Sequence, residues 1–173
     1  MRVVEHRRHS RRDPAGVHLN VEGLELVRRL RPTIGRFDRV VASPKPRALE
    51  TAQSLGFEVD ALLPDLAEMP EDAGVNVAAL EHRSFAEYVR WVGRSEVASR
   101  YARHQAEVMR AELEKTPDGG RMLMVSHGGV IEFAAAGTEV PEVAGWGPPV
   151  EYLEGVRFYL DRGRWVRGEV LRL

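Results

Sequence analysis

Residues 122–126 read Met-Leu-Met-Val-Ser, and this stretch decides the fold. A continuous apolar run without polar alternation is typical of a strand buried on both faces, as in the centre of a parallel sheet. The turn-forming segment Pro-Asp-Gly-Gly at 117–120 precedes it, and a helix is predicted near 129–136. His127 therefore comes directly after the carboxyl end of a central strand.

The order of strand, loop and helix occurs twice more, earlier in the chain. A strand is predicted at Val3-Val4, and a helix capped by Asn20 follows it. Another strand is predicted over 37–42, and a helix over about 47–55, closed by Gly56, follows that one. The apolar positions at helical spacing in the first helix are Val21, Leu24, Val27 and Leu30.

These repeated units predict an α/β fold with three layers: a mostly parallel central sheet with helices on both faces. Residues 156–173 have the pattern of a β-hairpin, which adds antiparallel strands at one edge. Residues 62–76 are irregular, and helices are predicted over about 79–93 and 96–115. We expect this part of the chain, at about 70–115, to form a short helical cap or to flank the sheet.

Length and composition restrict the classes of function. With 173 residues, of which 43% are hydrophobic, we expect a single domain over residues 1–173. The 25 Lys and Arg residues nearly balance the 26 Asp and Glu residues, and a formal net charge of -1 argues against a dedicated nucleic-acid-binding protein. The absence of cysteine excludes disulfides and thiolate metal sites. Without an apolar run of membrane-spanning length or a signal-like start, we expect a cytoplasmic protein with no membrane partner.

Three loops begin where predicted strands end, which is where folds of this class bind ligands. They carry Arg8-His9, the segment from Ser43 to Arg47, and Ser126-His127. Phosphoryl transfer requires a nucleophile, fixed positive charge around the phosphoryl oxygens, and a proton donor for the leaving oxygen. The polar residues of these loops are of the types that this chemistry needs.

His9 is the candidate nucleophile, because an imidazole with a pKa of about 6.5 is largely neutral near pH 7 and can attack through one nitrogen. The guanidinium groups of Arg8, Arg12 and Arg47 are suited to binding phosphate through two parallel N–H groups. The hydroxyl of Ser10 is a further donor to phosphate. We expect no cofactor and no metal.

His127 adds another phosphate-binding donor when it is protonated. Glu68, in the irregular segment, is the candidate general acid. An exposed loop carboxylate without a catalytic role is the alternative interpretation of Glu68. The substitute donors in that case are Asp65, Glu71 and Asp72.

The ordered motifs resemble those of the histidine phosphatase, or phosphoglycerate mutase-like, superfamily. Arg8-His9-Ser10 is similar to its Arg-His-Gly signature, and HLNVEGLELVRRL at 18–30 is similar to its Leu-Thr-x-x-Gly helix. VVASPKPRALETA at 40–52 resembles its Ser-Pro-x-x-Arg-Ala-x-x-Thr-Ala segment. LPDLAEM at 63–69 resembles its Leu-x-Glu segment, and VSHGGVI at 125–131 its His-Gly-Gly segment.

This resemblance implies a phosphoglycerate mutase-like fold and a metal-independent phosphatase. By the same resemblance, His9 is the residue that becomes phosphorylated. Arg8, Arg47 and His127 form the phosphate pocket, and Glu68 is the proton donor. The implied partner is a small phosphorylated substrate or a phosphoprotein.

The sequence also departs from the family pattern. Ser10 stands where the family has glycine, and Ala15 replaces an asparagine that mutases commonly carry. Residues 8–14 instead resemble the Arg-His-Gly-x-Arg-x-Pro of the acid phosphatase branch, which brings Arg12 into the site. The His-Gly-Gly segment belongs more to the other branch, so the motifs are mixed.

Other polar and aromatic residues have plainer interpretations. His6 and His9, three apart in an extended strand, point to opposite faces and do not favour a metal site. Ser43 and Ser126 are expected to cap backbone groups. Surface or helix positions are expected for His18, His82 and His104, although His82 lies in the predicted cap. Packing roles are expected for Phe85, Tyr88 and Trp91.

Three hypotheses follow from the sequence. The first is a phosphatase that hydrolyses a phosphomonoester or phosphohistidine through phospho-His9. The second is a phosphate-binding module of the same fold without efficient chemistry, which Ser10 keeps open. The third is a phosphoglycerate mutase-type phosphotransferase, which Ala15 and the short cap disfavour.

Overall fold

The computed structural model describes residues 1–67, 69 and 83–173. Within these residues the strands are β1 (Arg2–Arg8), β2 (Arg39–Ala42), β3 (Ala61–Leu62), β4 (Arg121–Ser126), β5 (Gly155–Asp161) and β6 (Arg164–Leu171). They form one sheet in the order β3-β2-β4-β1-β5-β6. The first four strands are parallel, whereas β5 and β6 are antiparallel to their neighbours. The predicted mostly parallel sheet with a terminal hairpin is confirmed.

Helices cover the sheet on both faces, as predicted. They are α1 (Val21–Leu30), α2 (Pro46–Ser54), α3 (Phe85–Val92), α4 (Glu96–Leu113) and α5 (Val130–Gly137). On one face α1 and α2 pack in a cluster that includes Val27, Ala48 and Leu123. On the other face α4 and α5 pack in a cluster that includes Met109 and Met124. None of the helices in the described residues is long and apolar enough to cross a membrane.

Strand β1 is longer than the predicted strand at Val3-Val4, because its charged residues are paired in the interior. Glu5 is 1% exposed. One of its carboxylate oxygens accepts hydrogen bonds from Arg121 and Arg157, both at 2.9 Å, and the other accepts two from Arg7, at 2.9 and 3.0 Å. A buried carboxylate with this many charged donors is compensated for its lost hydration. The strand can therefore continue through the interior to the loop that follows it.

Helix α1 begins as predicted, since the Asn20 side chain accepts a hydrogen bond from the Gly23 backbone N–H at 2.9 Å. Its buried face differs from the apolar pattern, however: Val21 and Leu24 are 73% and 38% exposed. The close approach at Gly23 decides which face is inside, because a Cβ atom there would lie 2.2 Å from the carbonyl oxygen of Arg11. The helix therefore lies directly on the backbone of the loop after β1.

The segment predicted as a cap lies only partly within the described residues. Residues 70–82, including the start of the helix predicted over 79–93, lie outside the described residues. Helix α4, in contrast, buries Met109 and Leu113 in the cluster beneath β1 and β4. Most of the 96–115 prediction therefore corresponds to a helix that flanks the sheet.

The aromatic residues of α3 have the packing role that was predicted. Phe85 and Tyr88 are fully buried. The ring of Tyr88 meets Phe133 of α5 edge-on at a centroid distance of 5.1 Å, and Trp91 lies 5.4 Å from the same ring. These contacts attach α3 to α5.

We predict that Gly23→Ala destabilises the protein. The added methyl group would overlap the Arg11 carbonyl, and overpacking of this kind costs about 1–3 kcal/mol. That corresponds to a fall in melting temperature of about 2–10 °C for a chain of this size, measurable by calorimetry. Gly145→Ala is the matched control, since a Cβ there meets no atom within 4 Å. Equal melting temperatures for both variants would contradict the proposed contact.

Candidate active site

The carboxyl ends of the parallel strands bring three loops to one edge of the sheet. The backbone N–H of His9, just after β1, donates to the carbonyl of Ser126 at 2.9 Å. The backbone N–H of Ser43, just after β2, donates to the carbonyl of Val125 at 2.9 Å. The imidazole rings of His9 and His127 are 5.2 Å apart between centroids. Parallel pairing thus places the two histidines side by side.

The hydrogen bonds of His9 fix its tautomer. Its Nδ1 lies 2.6 Å from the Ser10 carbonyl oxygen, which can only accept, so Nδ1 carries the hydrogen. Nε2 therefore holds the lone pair, and it accepts a hydrogen bond from Nε of Arg47 at 3.1 Å. Burial lowers the pKa of His9 to about 3, against the opposing effect of the Ser10 carbonyl. The positive charges of Arg47, Arg8 and Arg12 lower this pKa as well, so the imidazole is neutral near pH 7.

Thr51 connects the loop after β1, which carries His9 and Ser10, to α2. Its hydroxyl donates to the carbonyl of Arg47 at 2.7 Å and accepts from the backbone N–H of Ser10 at 2.9 Å. Arg47 lies in the first turn of α2, where backbone N–H groups without helical partners favour anions. Burial and the neighbouring charge of Arg12 lower the pKa of the Arg47 guanidinium. The link through Thr51 fixes the position of His9 relative to Arg47.

Arg8 is held by neutral groups. One of its terminal nitrogens donates to the carbonyl of Val150 at 3.0 Å, and its guanidinium carbon lies 4.5 Å from the centroid of the Tyr152 ring. Its Nε is buried without a hydrogen-bond partner in the described part of the chain. A Cβ atom at Gly128 would lie 3.3 Å from this guanidinium, so the first glycine after His127 leaves room for it.

Among the described residues, the three candidate phosphate-binding arginines have no carboxylate partner. In residues 1–67, 69 and 83–173, no ion pair within 4 Å involves Arg8, Arg12 or Arg47. Other arginines with low exposure are paired with carboxylates: Arg7 with Glu5 at 2.9 Å and Arg39 with Glu112 at 2.6 Å. Positive charge that is concentrated and left unpaired favours the binding of an anion.

Arg12 lies at the rim of this cluster. One terminal nitrogen donates to the carbonyl oxygens of Asp13, Pro14 and Gly16 in its own loop, at 3.0, 2.6 and 3.1 Å. Its charge still reaches the centre, since it lowers the pKa of His9. In this arrangement Arg12 acts on the site through its field rather than through contact with the imidazole.

The Ser10 side chain has a different role from the one predicted. It is fully buried, and its hydroxyl donates to the carbonyl of Gly23 at 2.7 Å. Its hydrogen is thus used within the protein, and the structure does not bring it to the arginines as a phosphate donor. Its φ is also outside the left-handed region, so the conformational freedom of a glycine is not needed here.

His127 lies opposite His9 and is neutral in this site. Its Nε2 is hydrogen bonded to the Ser43 hydroxyl at 2.8 Å, and its Nδ1 is buried without a partner among the described residues. Burial, followed by the neighbouring His9 and the charge of Arg47, lowers the pKa of His127 to about 2. The expected protonated form would therefore require a bound anion to offset the surrounding positive charge.

Comparison with known proteins identifies the family of this site. A family model described as the histidine phosphatase superfamily (branch 1) matches residues 4–169. The chain belongs to this superfamily. The matching model is that of branch 1, although residues 8–14 resemble the acid phosphatase branch. No curated protein matches the sequence.

Solved structures of histidine phosphatase-like proteins share the fold over nearly the whole chain. A phosphoserine phosphatase from Entamoeba histolytica, in complex with 3-phosphoglyceric acid, is 17% identical with a TM-score of 0.75, and the match covers 100% of this chain and 98% of that one. A phosphoglycerate mutase from Bacillus anthracis is 17% identical with a TM-score of 0.67, covering 95% and 90%. A mycobacterial glucosyl-3-phosphoglycerate phosphatase is 21% identical with a TM-score of 0.63, covering 99% and 98%.

The candidate general acid, Glu68, lies outside the described residues, as do the substitutes Glu71 and Asp72. Asp65, the remaining substitute, is hydrogen bonded to His104 at 2.6 Å on the surface. Its carboxylate is thus engaged by a neighbouring helix.

The remaining histidines and serines are placed as follows. His18 and His104 are surface residues, as predicted, and pair with Glu50 and Asp65, while His82 lies outside the described residues. Ser43 and Ser126 were expected to cap backbone groups, but their hydroxyls are hydrogen bonded to His127 and His6, at 2.8 and 2.6 Å. Ser43 also accepts from the backbone N–H of Lys45 at 3.3 Å. The serines therefore serve mainly to orient imidazoles.

Sequence reasoning missed two residues beside the site. The Tyr152 ring lies 5.7 Å from that of His9 between centroids, and no motif in its loop indicates this. Glu132 is fully buried, and its carboxylate accepts from the backbone N–H groups of Gly129 at 2.6 Å and Val150 at 2.9 Å. Glu132 is three residues after the N-cap residue Gly129, and a glutamate at this position can accept from the N-cap N–H, which is a signal that the sequence contains.

We predict that the protein loses stability as the pH falls below about 6.5. The reason is that unfolding allows three histidines, buried and neutral in the folded state, to bind protons. Burial lowers the pKa values of His6 and His9 to about 3 and, with neighbouring charges, that of His127 to about 2. The unfolded chain, with histidine pKa values near 6.5, therefore binds more protons between about pH 6.5 and 3. The contribution of these histidines to the free energy of unfolding is fully present above about pH 6.5 and is lost as the pH falls from about 6.5 to 3.

The contribution of one histidine can be isolated with His6→Asn, which leaves the site residues in place. Urea unfolding between about pH 7 and 5 should show a shallower dependence on pH in the variant, by up to about 1.4 kcal/mol per pH unit. Gly145→Ala, which changes no titratable group, is the control and should retain the slope of the wild type. Parallel slopes for wild type and His6→Asn would contradict the buried neutral state of His6.

Proposed function

We propose that this chain is a phosphatase that hydrolyses a phosphomonoester or phosphohistidine through a covalent phospho-His9 intermediate. The observation that carries the proposal is the state of His9. Its Nδ1 hydrogen is committed to the Ser10 carbonyl, and its Nε2 lone pair lies among arginines that have no carboxylate partners in the described residues. A neutral nitrogen nucleophile surrounded by unpaired cations suits attack on a phosphate dianion.

The proposed reaction has two steps. In the first, Nε2 of His9 attacks phosphorus, the bond from phosphorus to the leaving oxygen breaks, and Glu68 donates a proton to that oxygen. In the second, water attacks the phosphorus of phospho-His9, the phosphorus–nitrogen bond breaks, and Glu68 takes the proton from the water. The enzyme returns to its starting state and releases inorganic phosphate.

The arginines supply the charge that the transition state needs. The guanidinium groups of Arg8 and Arg47, with the field of Arg12, face the negative charge on the equatorial oxygens of the phosphoryl group. His127 would donate a further hydrogen bond, and bound phosphate would favour its protonated form. Because this positive charge belongs to side chains, the proposed mechanism proceeds without a metal ion.

Hydrolysis is favoured here over phosphate transfer between two positions of one substrate. Ala15 occupies the place of the mutases' asparagine and is exposed in the structure, so its methyl group offers no polar contact to a returning phosphorylated intermediate. The fold is shared with phosphatases and with a mutase, and it supports either activity. We propose a small phosphorylated molecule or a phosphoprotein as substrate.

The alternative of a phosphate-binding module without chemistry rested on Ser10. The structure accommodates this serine: its backbone has no left-handed φ, and its hydroxyl adds a bond to Gly23. The peptide group that orients His9 is therefore maintained, which supports the catalytic proposal over the binding module.

We predict that His9→Ala lowers the hydrolysis of an aryl phosphate by at least about 10³-fold, because no other nucleophile replaces the imidazole. A spectrophotometric assay of the released phenol measures this. His104→Ala is the matched control at a surface position and should retain activity. Unchanged rates with a metal chelator are also expected. Hydrolysis that survives in pure His9→Ala, or phosphate binding by a wild type that releases no phenol, would reject the mechanism.

The role of the general acid predicts a dependence on the leaving group. Glu68→Gln should slow hydrolysis of an alkyl phosphate by about 10²- to 10⁴-fold, because an alkoxide needs a proton to leave. A nitrophenyl phosphate, whose leaving oxygen is a weak base, should be affected much less. Asp65→Asn serves as control and should slow neither substrate. Equal effects of Glu68→Gln on both substrates would assign the proton transfer to another group.

A further inference from the structure

We infer that Tyr152 is a positioning residue of this site, whose aromatic ring holds Arg8 and His9 for phosphate without adding negative charge. The inference rests on the proposed function, because it assigns Tyr152 a part in the same phosphate pocket. The ring would hold the cations and His9 in position before phosphate binds.

The ring of Tyr152 contacts both groups that act on phosphate. The guanidinium carbon of Arg8 lies 4.5 Å from its centroid, which is within the range of a cation–π interaction. The ring of His9 is inclined to it by 54° at a centroid distance of 5.7 Å. Arg11, at the exposed rim, lies 5.6 Å from the same centroid. A single aromatic side chain thus touches the nucleophile and two neighbouring cations.

An aromatic support has a consequence that a carboxylate would not have. Below the site, the carboxylate of Glu5 on β1 holds Arg7 of the same strand, Arg121 of β4 and Arg157 of β5, and it cancels part of their charge. Arg8, on the same strand, has no carboxylate within ion-pair distance in the described residues and is held instead by the Val150 carbonyl and the Tyr152 ring. These neutral partners fix the direction of the guanidinium and leave its full positive charge for an anion.

The backbone around Tyr152 is fixed to the strand that carries the site. Leu153 is fully buried and has a φ of 63°, in the left-handed region that a leucine rarely adopts. Its backbone N–H donates to the carbonyl of Arg8 at 3.2 Å, and its carbonyl accepts from Arg7 at 2.9 Å. An unusual conformation held by a buried side chain and two hydrogen bonds is characteristic of functional sites. This conformation sets the direction of the side chain of the preceding residue, Tyr152.

The electronic character of the ring gives a test that simple packing does not. We predict that Tyr152→Leu weakens the binding of inorganic phosphate, measured by calorimetry and as inhibition of aryl phosphate hydrolysis, by about 3- to 10-fold, the range of a partly exposed cation–π contact. Tyr152→Met is a second variant without a ring and should show the same loss. Tyr152→Phe should restore binding to within about twofold, because the ring rather than the hydroxyl holds Arg8.

A control away from the site is available on the hairpin. The ring of Tyr159 lies under Arg167, at 4.0 Å from the guanidinium carbon to the centroid, so Tyr159→Leu removes a similar contact without touching the pocket. It should leave phosphate affinity unchanged. Melting temperatures of all variants separate loss of folding from loss of binding.

The outcomes distinguish this inference from the proposed function. Equal phosphate affinities for Tyr152→Leu, Tyr152→Met and Tyr152→Phe would overturn the positioning role, even if His9-dependent hydrolysis is found in the wild type. Ring-dependent phosphate binding in a wild type that does not hydrolyse phosphate esters would support the positioning role while the catalytic proposal fails. A loss in Tyr152→Phe as large as that in Tyr152→Leu would assign the effect to the hydroxyl and also overturn the inference.

Discussion

The peptide unit of Ser10 is the point on which the site depends. Its N–H donates to Thr51 of α2, its carbonyl accepts from Nδ1 of His9, and its side chain donates to Gly23 of α1. These three bonds fix one residue against two helices and one imidazole. Since Nδ1 must carry a hydrogen to make its bond, Nε2 is left with a lone pair that faces Arg47. The tautomer of His9, the proposed nucleophile, thus follows from backbone packing.

The charged residues of β1 fall into two groups, one paired inside the fold and one exposed to the candidate site. In the lower part of β1, Glu5 neutralises cations from three strands, which allows polar residues to be buried. Just beyond it, Arg8 and Arg47 converge without carboxylate partners in the described residues, and burial keeps His9 and His127 neutral. Such a cluster is unfavourable in the empty protein and becomes favourable when a dianion enters. In the proposed function, this unpaired charge is a source of affinity for phosphate.

The sequence was sufficient to predict the sheet, the two helical faces and the loops that meet at its edge, because parallel strands place their carboxyl ends together. It did not predict the partners that orient the site. Ser43 is bonded to His127, and Tyr152 lies against His9, through contacts between segments far apart in the chain that leave no local pattern. The buried face of α1 was also missed in part, since the close approach at Gly23 outweighs the apolar character of Val21.

The departure at Ser10 shows how a change in a motif can be compensated. Glycine is required where φ is positive or where a side chain would collide, and neither condition holds at this position. The serine side chain occupies buried space beside α1, and its hydroxyl donates to a carbonyl at the first turn of that helix. Gly23, where a Cβ atom would overlap the loop backbone, is the residue that must remain small. The need for a glycine therefore lies at position 23, on α1. Position 10 is free to carry a side chain, and its hydroxyl strengthens the contact between α1 and the loop after β1.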